Sequence, residues 1–429
     1  MKLVAANEPW LGQVPADWKR SRIRNEAVLS PFFSSAPPSP DETCAVVPME
    51  LLSTDGTIDF SNQLPIEDIS PGLTLFETGD VLFAKITPCM ENGKGAHVGQ
   101  MPTRYAFGST EFQVLRPSNA IDGRFLYYAT FNPTFRAYAA ENMTGAAGQK
   151  RVSSRFLKDT RLFLPPLPEQ QRIAAYLDAS CAAIDAAVAA KRRQHETLDE
   201  LRKSIIHSFF AGQCGAMSER VKDVAAKITS GVTPEGGASG YLDSGIPLLR
   251  SQNIHFDGLR LNDVAYIAAE THAGMSGSQV KPRDVLLNIT GASIGRCAFV
   301  PDGFGEGNVN QHVCIIRPGP RIDHQFLAAF LSSPMGQDQI LSTFTGASRQ
   351  GLSHSDLGLI RIPFPNVKVQ REIVGRIEQH DSKHRDLCRS IESQITTLTA
   401  YRKSLIHECV TGQRRVTDAD VRRAESAPH

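Results

Sequence analysis

The sequence predicts an α+β protein built as domain, helix, domain, helix, with the two helices pairing as a coiled coil. Three observations carry this. Leu201-Arg202-Lys203-Ser204-Ile205-Ile206-His207, followed by Gly212-Gln213, returns 200 residues later as Tyr401-Arg402-Lys403-Ser404-Leu405-Ile406-His407, followed by Gly412-Gln413. Each copy closes a long helical pattern that begins just after a proline cluster. The chain has 429 residues, more than one hydrophobic core usually supports. A solenoid repeats about every 20–50 residues, so this far longer period marks a duplicated domain-plus-helix unit.

Residues 1–168 form the first domain. Trp10-Leu11-Gly12-Gln13-Val14-Pro15-Ala16-Asp17-Trp18 holds both tryptophans of the chain around a Gly/Pro turn, which reads as a packed N-terminal turn. The stretch at 31–40, PFFSSAPPSP, is a breaker-rich loop. Cys44-Ala45-Val46-Val47, Asp80-Val81-Leu82-Phe83-Ala84 and Phe112-Gln113-Val114-Leu115 read as short strands separated by Gly and Pro, and Phe125 to Tyr138 as a helix. Residues 169–213 form the first spacer helix. Its apolar or small residues at Ile173, Leu177, Ser180, Ile184, Ala187, Leu198, Leu201 and Ile205 step by threes and fours, the mark of a coiled-coil seam. Lys191 and Gln194 occupy seam positions midway.

Residues 214–365 repeat the domain. Asp284-Val285-Leu286-Leu287 matches Asp80-Val81-Leu82-Phe83, and Val313-Cys314-Ile315-Ile316-Arg317-Pro318 matches Phe112-Gln113-Val114-Leu115-Arg116-Pro117. Thr345-Gly346-Ala347 matches Thr144-Gly145-Ala146. Residues 366–413 form the second spacer helix, with seam residues Ile373, Ile377, Leu387, Ile391, Leu398, Tyr401 and Leu405. Residues 414–429 are charged, lack an apolar period and read as a flexible tail.

Composition narrows the function classes. A formal net charge of +1 leaves the partner open, since a basic face can lie on a neutral chain. Eight cysteines are scattered without CxxC pairs or histidine neighbours, which points to reduced cytosolic thiols and no metal site. No apolar run reaches bilayer length, and MKLVAANEPWLGQVP lacks the apolar centre of a signal peptide. A cytoplasmic protein without a membrane partner is expected.

Neither helix can bury its apolar stripe alone, so the two pair with each other. A whole domain intervenes, so either orientation is sterically open. An antiparallel pair would set the domains at the two ends of a rod of roughly 60 Å, at about 1.5 Å per residue. Two similar modules at a fixed distance suit a target with two similar sites. Duplex DNA is such a target, its half-sites recurring on one face about every 34 Å. A bivalent adaptor that spaces two protein partners without touching DNA has the same geometry.

Side chains able to read base edges lie in glycine-flanked loops. In the first domain these are Lys85, Thr87, Glu91, Asn92 and Lys94, then Gln149, Lys150 and Arg151. In the second they are Arg250, Gln252, Asn253 and His255, then Arg296, Arg349 and Gln350. Arg and Lys suit guanine, Asn and Gln suit adenine, and Glu accepts from cytosine. Other Lys and Arg would neutralise phosphates.

Enzymatic motifs are weak. Asn132-Pro133-Thr134-Phe135 approaches the Asn-Pro-Pro-Tyr/Phe motif of adenine methyltransferases but lacks the second proline. Gly303-Phe304-Gly305-Glu306-Gly307 approaches a glycine-rich cofactor loop without the strand–loop–helix setting, and it lies in the other half of the duplication. There is no GxxxxGK[ST] or HExxH. No catalytic residue is expected.

Four stretches resemble the DNA-specificity subunit of type I restriction–modification enzymes. The turn Trp10 to Trp18 is similar to that family's N-terminal turn. Gly79-Asp80-Val81-Leu82-Phe83-Ala84-Lys85-Ile86-Thr87-Pro88-Cys89-Met90-Glu91-Asn92-Gly93-Lys94-Gly95, with Phe107 to Phe112, resembles one variety of its recognition domain. Thr229-Ser230-Gly231-Val232-Thr233-Pro234, with Gly245 to Arg250, resembles the entry to another. Leu164-Pro165-Pro166-Leu167-Pro168-Glu169-Gln170-Gln171-Arg172-Ile173 resembles the start of its spacer helix. Two departures stand out. The second helix opens with Pro365-Asn366-Val367-Lys368-Val369-Gln370-Arg371-Glu372-Ile373 rather than Pro-x-x-Glu-Gln, and Gln113 stands where this variety usually has histidine.

The resemblance implies two mixed α/β target-recognition domains in inverted orientation, separated by an antiparallel two-helix coiled-coil spacer, and a bipartite, asymmetric DNA site with an unread gap. It implies a non-catalytic subunit of a prokaryotic defence system, with no cofactor of its own. Two modification subunits would bind S-adenosylmethionine and methylate adenine. Restriction subunits, where present, would use ATP and Mg to translocate and cleave DNA. It also implies that the spacer ends dock the modification subunits, a role for Arg202, Lys203, His207, Arg402, Lys403 and His407.

Overall fold

The structure, a computed structural model, describes residues 2–146, 148–213, 217–343 and 351–426. It divides into two compact units, residues 1–192 with 392–429, and residues 193–391. The division falls inside the two long helices, Leu167–Ala211 and Val367–Val410, rather than at their ends, because each helix gives its first part to one unit and its last part to the other.

The first unit is organised by an antiparallel sheet in the order Ala27–Leu29, Phe112–Pro117, Val81–Ala84, Gly95–His97. Val81 to Ala84 are all buried, so this central strand is apolar on both faces. A second sheet runs Gln63–Pro65, Thr43–Val47, Ala106–Gly108, Thr74–Phe76, and its middle pair is parallel. Behind the first sheet lie the helices Gly123–Phe131 and Pro133–Glu141. Where the sequence suggests one helix, Pro133 forces two, since proline lacks the N–H and clashes with the preceding turn. Asn132 caps the second, accepting from the Thr134 amide at 3.1 Å. That capping role accounts for the methyltransferase-like tetrapeptide.

The second unit repeats this plan. Its main sheet runs Ala225–Ser230, Val313–Pro318, Val285–Asn288, Cys297–Phe299, again antiparallel throughout. Leu82 pairs with Val114 in one unit as Leu286 pairs with Ile315 in the other. Its second sheet, Ala265–Ile267, Ile246–Leu249, Asn308–Val309, also contains a parallel pair. The helices His324–Ser332 and Pro334–Ser342 stand where Gly123–Phe131 and Pro133–Glu141 stood. Gly303 to Gly307 form a turn ahead of strand Asn308–Val309, with no helix following, so the cofactor-loop likeness ends there.

Polar anchors recur with the fold. Asp80 is 1% exposed and accepts from both Nε and Nη2 of Arg116, as Asp284 does from Arg317. Gln170, one turn into the first long helix, accepts from the Asp122 amide at 2.9 Å and donates to the carbonyls of Ala120 and Pro165. Gln370 does the same with Asp323, Arg321 and Pro365. The altered opening of the second helix therefore preserves the glutamine that seats each helix on its domain.

Inside each unit the long helices run antiparallel. In the first, Arg402 Nε lies 3.1 Å from Asp185 and the Arg414 guanidinium 5.4 Å from the Tyr176 ring. In the second, Arg202 holds Asp381 at 2.7 Å while Arg376 lies over Phe209. The seam departs from expectation at Leu201, Leu387 and Tyr401, which are 51%, 52% and 48% exposed. Ile206, Phe210, Ile406, Cys409 and Val410 turn inward instead. A straight 3.6-residue helix drifts about 20° per heptad from a 3.5-residue stripe, so the buried stripe moves to adjacent positions along these helices.

Two further expectations are corrected. Residues after 413 are not a bare tail: Val416 is 3% exposed, and Asp418–Glu425 is a helix with a Thr417/Asp420 capping box that lays Val421 and Ala424 on the first unit's core. And Leu167–Ala211 does contain a window apolar and long enough to cross a bilayer. In this fold its residues Ile173, Leu177, Cys181 and Ile184 belong to the first unit's core, and Asp178 and Asp185 receive Arg124 and Arg402.

The units differ in how well one space is filled. Beneath Gly123–Phe131, Tyr127 and Tyr128 leave a cavity of about 330 Å³. The matching residues of the second unit are Ala328 and Ala329, and the cavity there is about 700 Å³, floored by Ile206, Val374 and Ile377.

Candidate nucleic-acid interface

Three loops of the first unit meet at one end of its main sheet. The segment 85–94 links strands Val81–Ala84 and Gly95–His97, residues 109–111 precede strand Phe112–Pro117, and residues 144–152 follow the helix Pro133–Glu141. Backbone hydrogen bonds knit them together. The Lys85 amide donates to Glu111 at 2.9 Å, the Thr87 amide to Lys150 at 3.0 Å, and the Val152 amide to Lys85 at 2.9 Å. The two stretches that the sequence separates by more than fifty residues, 85–94 and 149–151, thus form one surface.

The side chains divide by role. Glu91, Asn92, Gln149 and Lys150 are exposed, with no side-chain partner among the described residues. Lys85 donates to the Thr110 carbonyl and Lys94 to the Met49 carbonyl, both at 2.7 Å, so each braces a loop. Thr87 packs its hydroxyl 3.6 Å from the Met143 sulfur. Arg151 forks onto Glu111, with Nη2 at 2.7 Å and Nε at 3.0 Å. The hydrogen-bonded Arg151 guanidinium holds the Glu111 carboxyl below its usual range, and Glu111 raises Arg151 in return. Sequence reasoning missed Glu111, because an acidic residue beside basic loops gives no local signal.

It also missed Arg136, which is 7% exposed. Its guanidinium donates to the carbonyls of Thr130, Met90 and Lys94 at 2.9–3.2 Å and lies 4.4 Å from the Phe83 ring centroid. Burial pushes this guanidinium down to about 10, so it stays protonated at neutral pH. Arg136 ties the far side of the 85–94 loop to the domain. The second unit places Gln337 at the matching position, donating to the carbonyls of Gly295 and Leu331 at 2.9 and 2.6 Å. The tethered turns match too: Gly93 and Gly295 both have φ of +84°, which glycine adopts without strain.

In the second unit, Arg296 follows Gly295 as Lys94 follows Gly93. Its side chain is half-buried, with no polar partner among the described residues. The buried Asn288 amide donates to Ser251 and Ser293 at 2.8 and 3.1 Å, joining the 289–296 loop to the 250–255 turn. In that turn Asn253 is 2% exposed, fully engaged with Arg250, Arg260 and Asp263 backbone atoms, and supports rather than contacts. Arg250 donates to the Asp263 carbonyl at 3.0 Å and faces Tyr241. Gln252 is exposed but holds Asp263 at 2.6 Å, and His255 Nε2 lies 2.9 Å from the Gln252 carbonyl. Thr290 and His312 pair at 2.6 Å at the base of the surface. Arg349, Gln350 and the Thr345-Gly346-Ala347 repeat lie outside the described residues.

The 289–296 loop of the second unit thus takes the place of 85–94 in the first, joined here to the 250–255 turn. Residues 71–191 and 260–397 match the type I restriction modification DNA specificity domain. The chain belongs to that family.

The EcoAI specificity subunit of Escherichia coli is 34% identical over 164 residues, 38% of this chain and 27% of that protein. The Escherichia coli EcoBI specificity subunit is 27% identical over 319 residues, 68% of this chain and 65% of that protein. The matched regions thus span less than two thirds of either relative. Among solved structures, a chain from work on complex assembly and conformational transition of the type I R-M system superposes with a TM-score of 0.78 at 19% identity, covering 94% of this chain and 99% of that one. The HsdS subunit from Thermoanaerobacter tengcongensis gives 0.56 at 18% identity, covering 94% and 98%. Identities this low speak for a shared fold.

In this specificity-family chain the repeated basic clusters are not equivalent to one another. Arg202 and Arg402 are spent on interhelix pairs with Asp381 and Asp185. Lys203 is exposed and paired with Glu200, while Lys403 and His207 are exposed. His407 is drawn into the first unit, with Nδ1 3.1 Å from Thr134 and 3.3 Å from Asn132, and burial lowers its pKa. The expected absence of histidine neighbours for cysteine is corrected at Cys388, whose sulfur lies 3.5 Å from His384 Nε2.

Proposed function

We propose that this chain is the non-catalytic specificity subunit of a type I restriction–modification complex, each unit reading one half of a bipartite, asymmetric DNA site. Support comes from the family match together with the duplicated loop surface, whose exposed Glu91, Asn92, Gln149 and Lys150 have the donors and acceptors that major-groove edges demand. Divergence between the two surfaces gives two different half-sites. Lys and Arg at the rims would neutralise phosphates and set register.

Adenine methylation and restriction belong in this reading to partner subunits, which carry S-adenosylmethionine, ATP and Mg. Two modification subunits dock on the paired helices near Lys203, His207 and Lys403, and the complex works in the prokaryotic cytoplasm.

The test is selection of a randomised duplex library by the chain bound to its modification subunit. The expected result is enrichment of two short, different sequences at a fixed separation. An adaptor that only spaces two protein partners yields no enriched sequence at any salt concentration, and that outcome overturns the proposal.

A further inference from the structure

Midway along the helix pair of the second unit, the packing face changes character. His195 and Asp199 lie one turn apart on the first long helix, and His384 and Cys388 one turn apart on the second. Residues four apart share a helix face, so each helix presents two ligand-type side chains to the other. His195 Nδ1 is 3.5 Å from an Asp199 oxygen. His384 Nε2 is 3.0 Å from the other Asp199 oxygen and 3.5 Å from the Cys388 sulfur. Ligand atoms of His195, Asp199 and Cys388 all lie within 4.8 Å of one another.

We propose that His195, Asp199, His384 and Cys388 form a site for a divalent transition metal of the zinc class that clips the two helices together. Bonds of about 2.0–2.3 Å in a tetrahedral site put neighbouring ligand atoms roughly 3.3–3.8 Å apart. The His195–Asp199, His384–Asp199 and His384–Cys388 contacts, at 3.5, 3.0 and 3.5 Å, already approach this, and closing the site needs His195 and the second helix's pair to draw together. Two imidazoles, a carboxylate and a thiol suit zinc or cobalt(II) and not magnesium or calcium, which take oxygen ligands. Binding releases the thiol proton, and the thiolate with the Asp199 carboxylate neutralises the dication. The nearby Arg202 charge is compensated by Asp381 at 2.7 Å.

The duplication argues that this quartet is not simply how such helices pack. An offset of 200 residues sets Ile184 and Val188 against His384 and Cys388, and Ile395 and Thr399 against His195 and Asp199. Ile184 is 8% exposed and Val188 packs on the same apolar core. Polar groups at such a seam cost stability unless they are satisfied. His384 keeps a side chain only 13% exposed here, where the duplicate uses an isoleucine. A metal held by all four groups would fix the register of the two helices over this stretch.

The test uses the full reduced chain with its modification subunit. Elemental analysis should find about one zinc per chain, and cobalt(II) exchanged for it should give intense visible bands with a thiolate-to-metal charge-transfer band. Cys388→Ser should abolish the charge-transfer band, and His384→Gln should weaken metal retention. The double variant His384→Ile/Cys388→Val carries the duplicate's own residues and should fold with unchanged helicity. A chelator should lower the melting temperature of the wild type and leave that of the double variant alone. Failure of the wild type to retain any metal, persistence of the charge-transfer band in Cys388→Ser, or an equal chelator effect on wild type and double variant overturns the proposal.

Discussion

Arg116 places Nε and Nη2 each 2.8 Å from a different oxygen of Asp80, a carboxylate 1% exposed at the start of the central strand of the main sheet. Asp80 also accepts from the Glu77 amide, so both its oxygens are engaged. Removing the guanidinium would strand a buried charge, which costs far more than the pair contributes net. Arg116→Ala is expected to destabilise the first unit by about 3–5 kcal/mol, and Asp80→Leu with Arg116→Met by much less. Trp10 and Trp18 are both buried in this unit's core, so denaturant unfolding followed by tryptophan fluorescence reads it selectively. Additive single effects in the double variant would refute the coupling.

Arg136 and Gln337 make a second pair of equivalents, each tethering a glycine turn through a backbone carbonyl. Arg136→Leu leaves three carbonyls without their donor and is expected to destabilise the first unit by about 2–4 kcal/mol, while Arg136→Gln, the duplicate's residue, keeps part of the tether and loses less. In DNA selection, Arg136→Leu should blur one half-site and spare the other. Equal blurring of both halves would show that the tether acts through general stability alone.

Much of the architecture was legible because duplication makes every local signal count twice. The strands around Val81 and Val285 and the pairing of the two long helices follow from spacing and composition, whereas the antiparallel sense of that pair and the break at Pro133 do not. What escaped depended on contacts distant in sequence. Nothing near Glu111 announces Arg151, and nothing near Arg136 announces the Met90 and Lys94 carbonyls. The loop residues were identified by type, which cannot separate the exposed Lys150 from Lys94, whose amine is bound at 2.7 Å. Gln113 donates to the Val152 carbonyl at 3.0 Å and so braces the same loops.

Stability of the first unit should fall as pH drops below about 6.5. Burial lowers the pKa of His97, opposed in part by Asp122, and burial likewise lowers that of His407. Each folded pKa therefore lies below the unfolded value of 6.5. The unfolded chain takes up protons first, so this contribution is present above 6.5 and lost as pH falls through the folded pKa. Denaturation midpoints read by tryptophan fluorescence between about pH 7.5 and about pH 5.5 should decline, and His97→Gln should flatten the decline. A midpoint rising on acidification would contradict the sign.

Lys150 and Arg151 should behave differently although they are adjacent. The Lys150 side chain is exposed with no partner among the described residues, whereas Arg151 is forked onto Glu111, which joins the 109–111 loop to the 144–152 loop. Lys150→Ala should therefore weaken DNA binding by about 1–3 kcal/mol if it touches a base, shifting the preference at one position of one half-site. If it touches only a phosphate, affinity should fall for all sequences alike and the salt dependence should become shallower. Arg151→Ala and Glu111→Ala should instead share one phenotype, since either breaks the same brace, and their double variant should be no worse than the more severe single. Selected-library sequencing reads both cases. Independent, additive losses for Arg151 and Glu111 would mean that Arg151 leaves its carboxylate to meet the DNA itself.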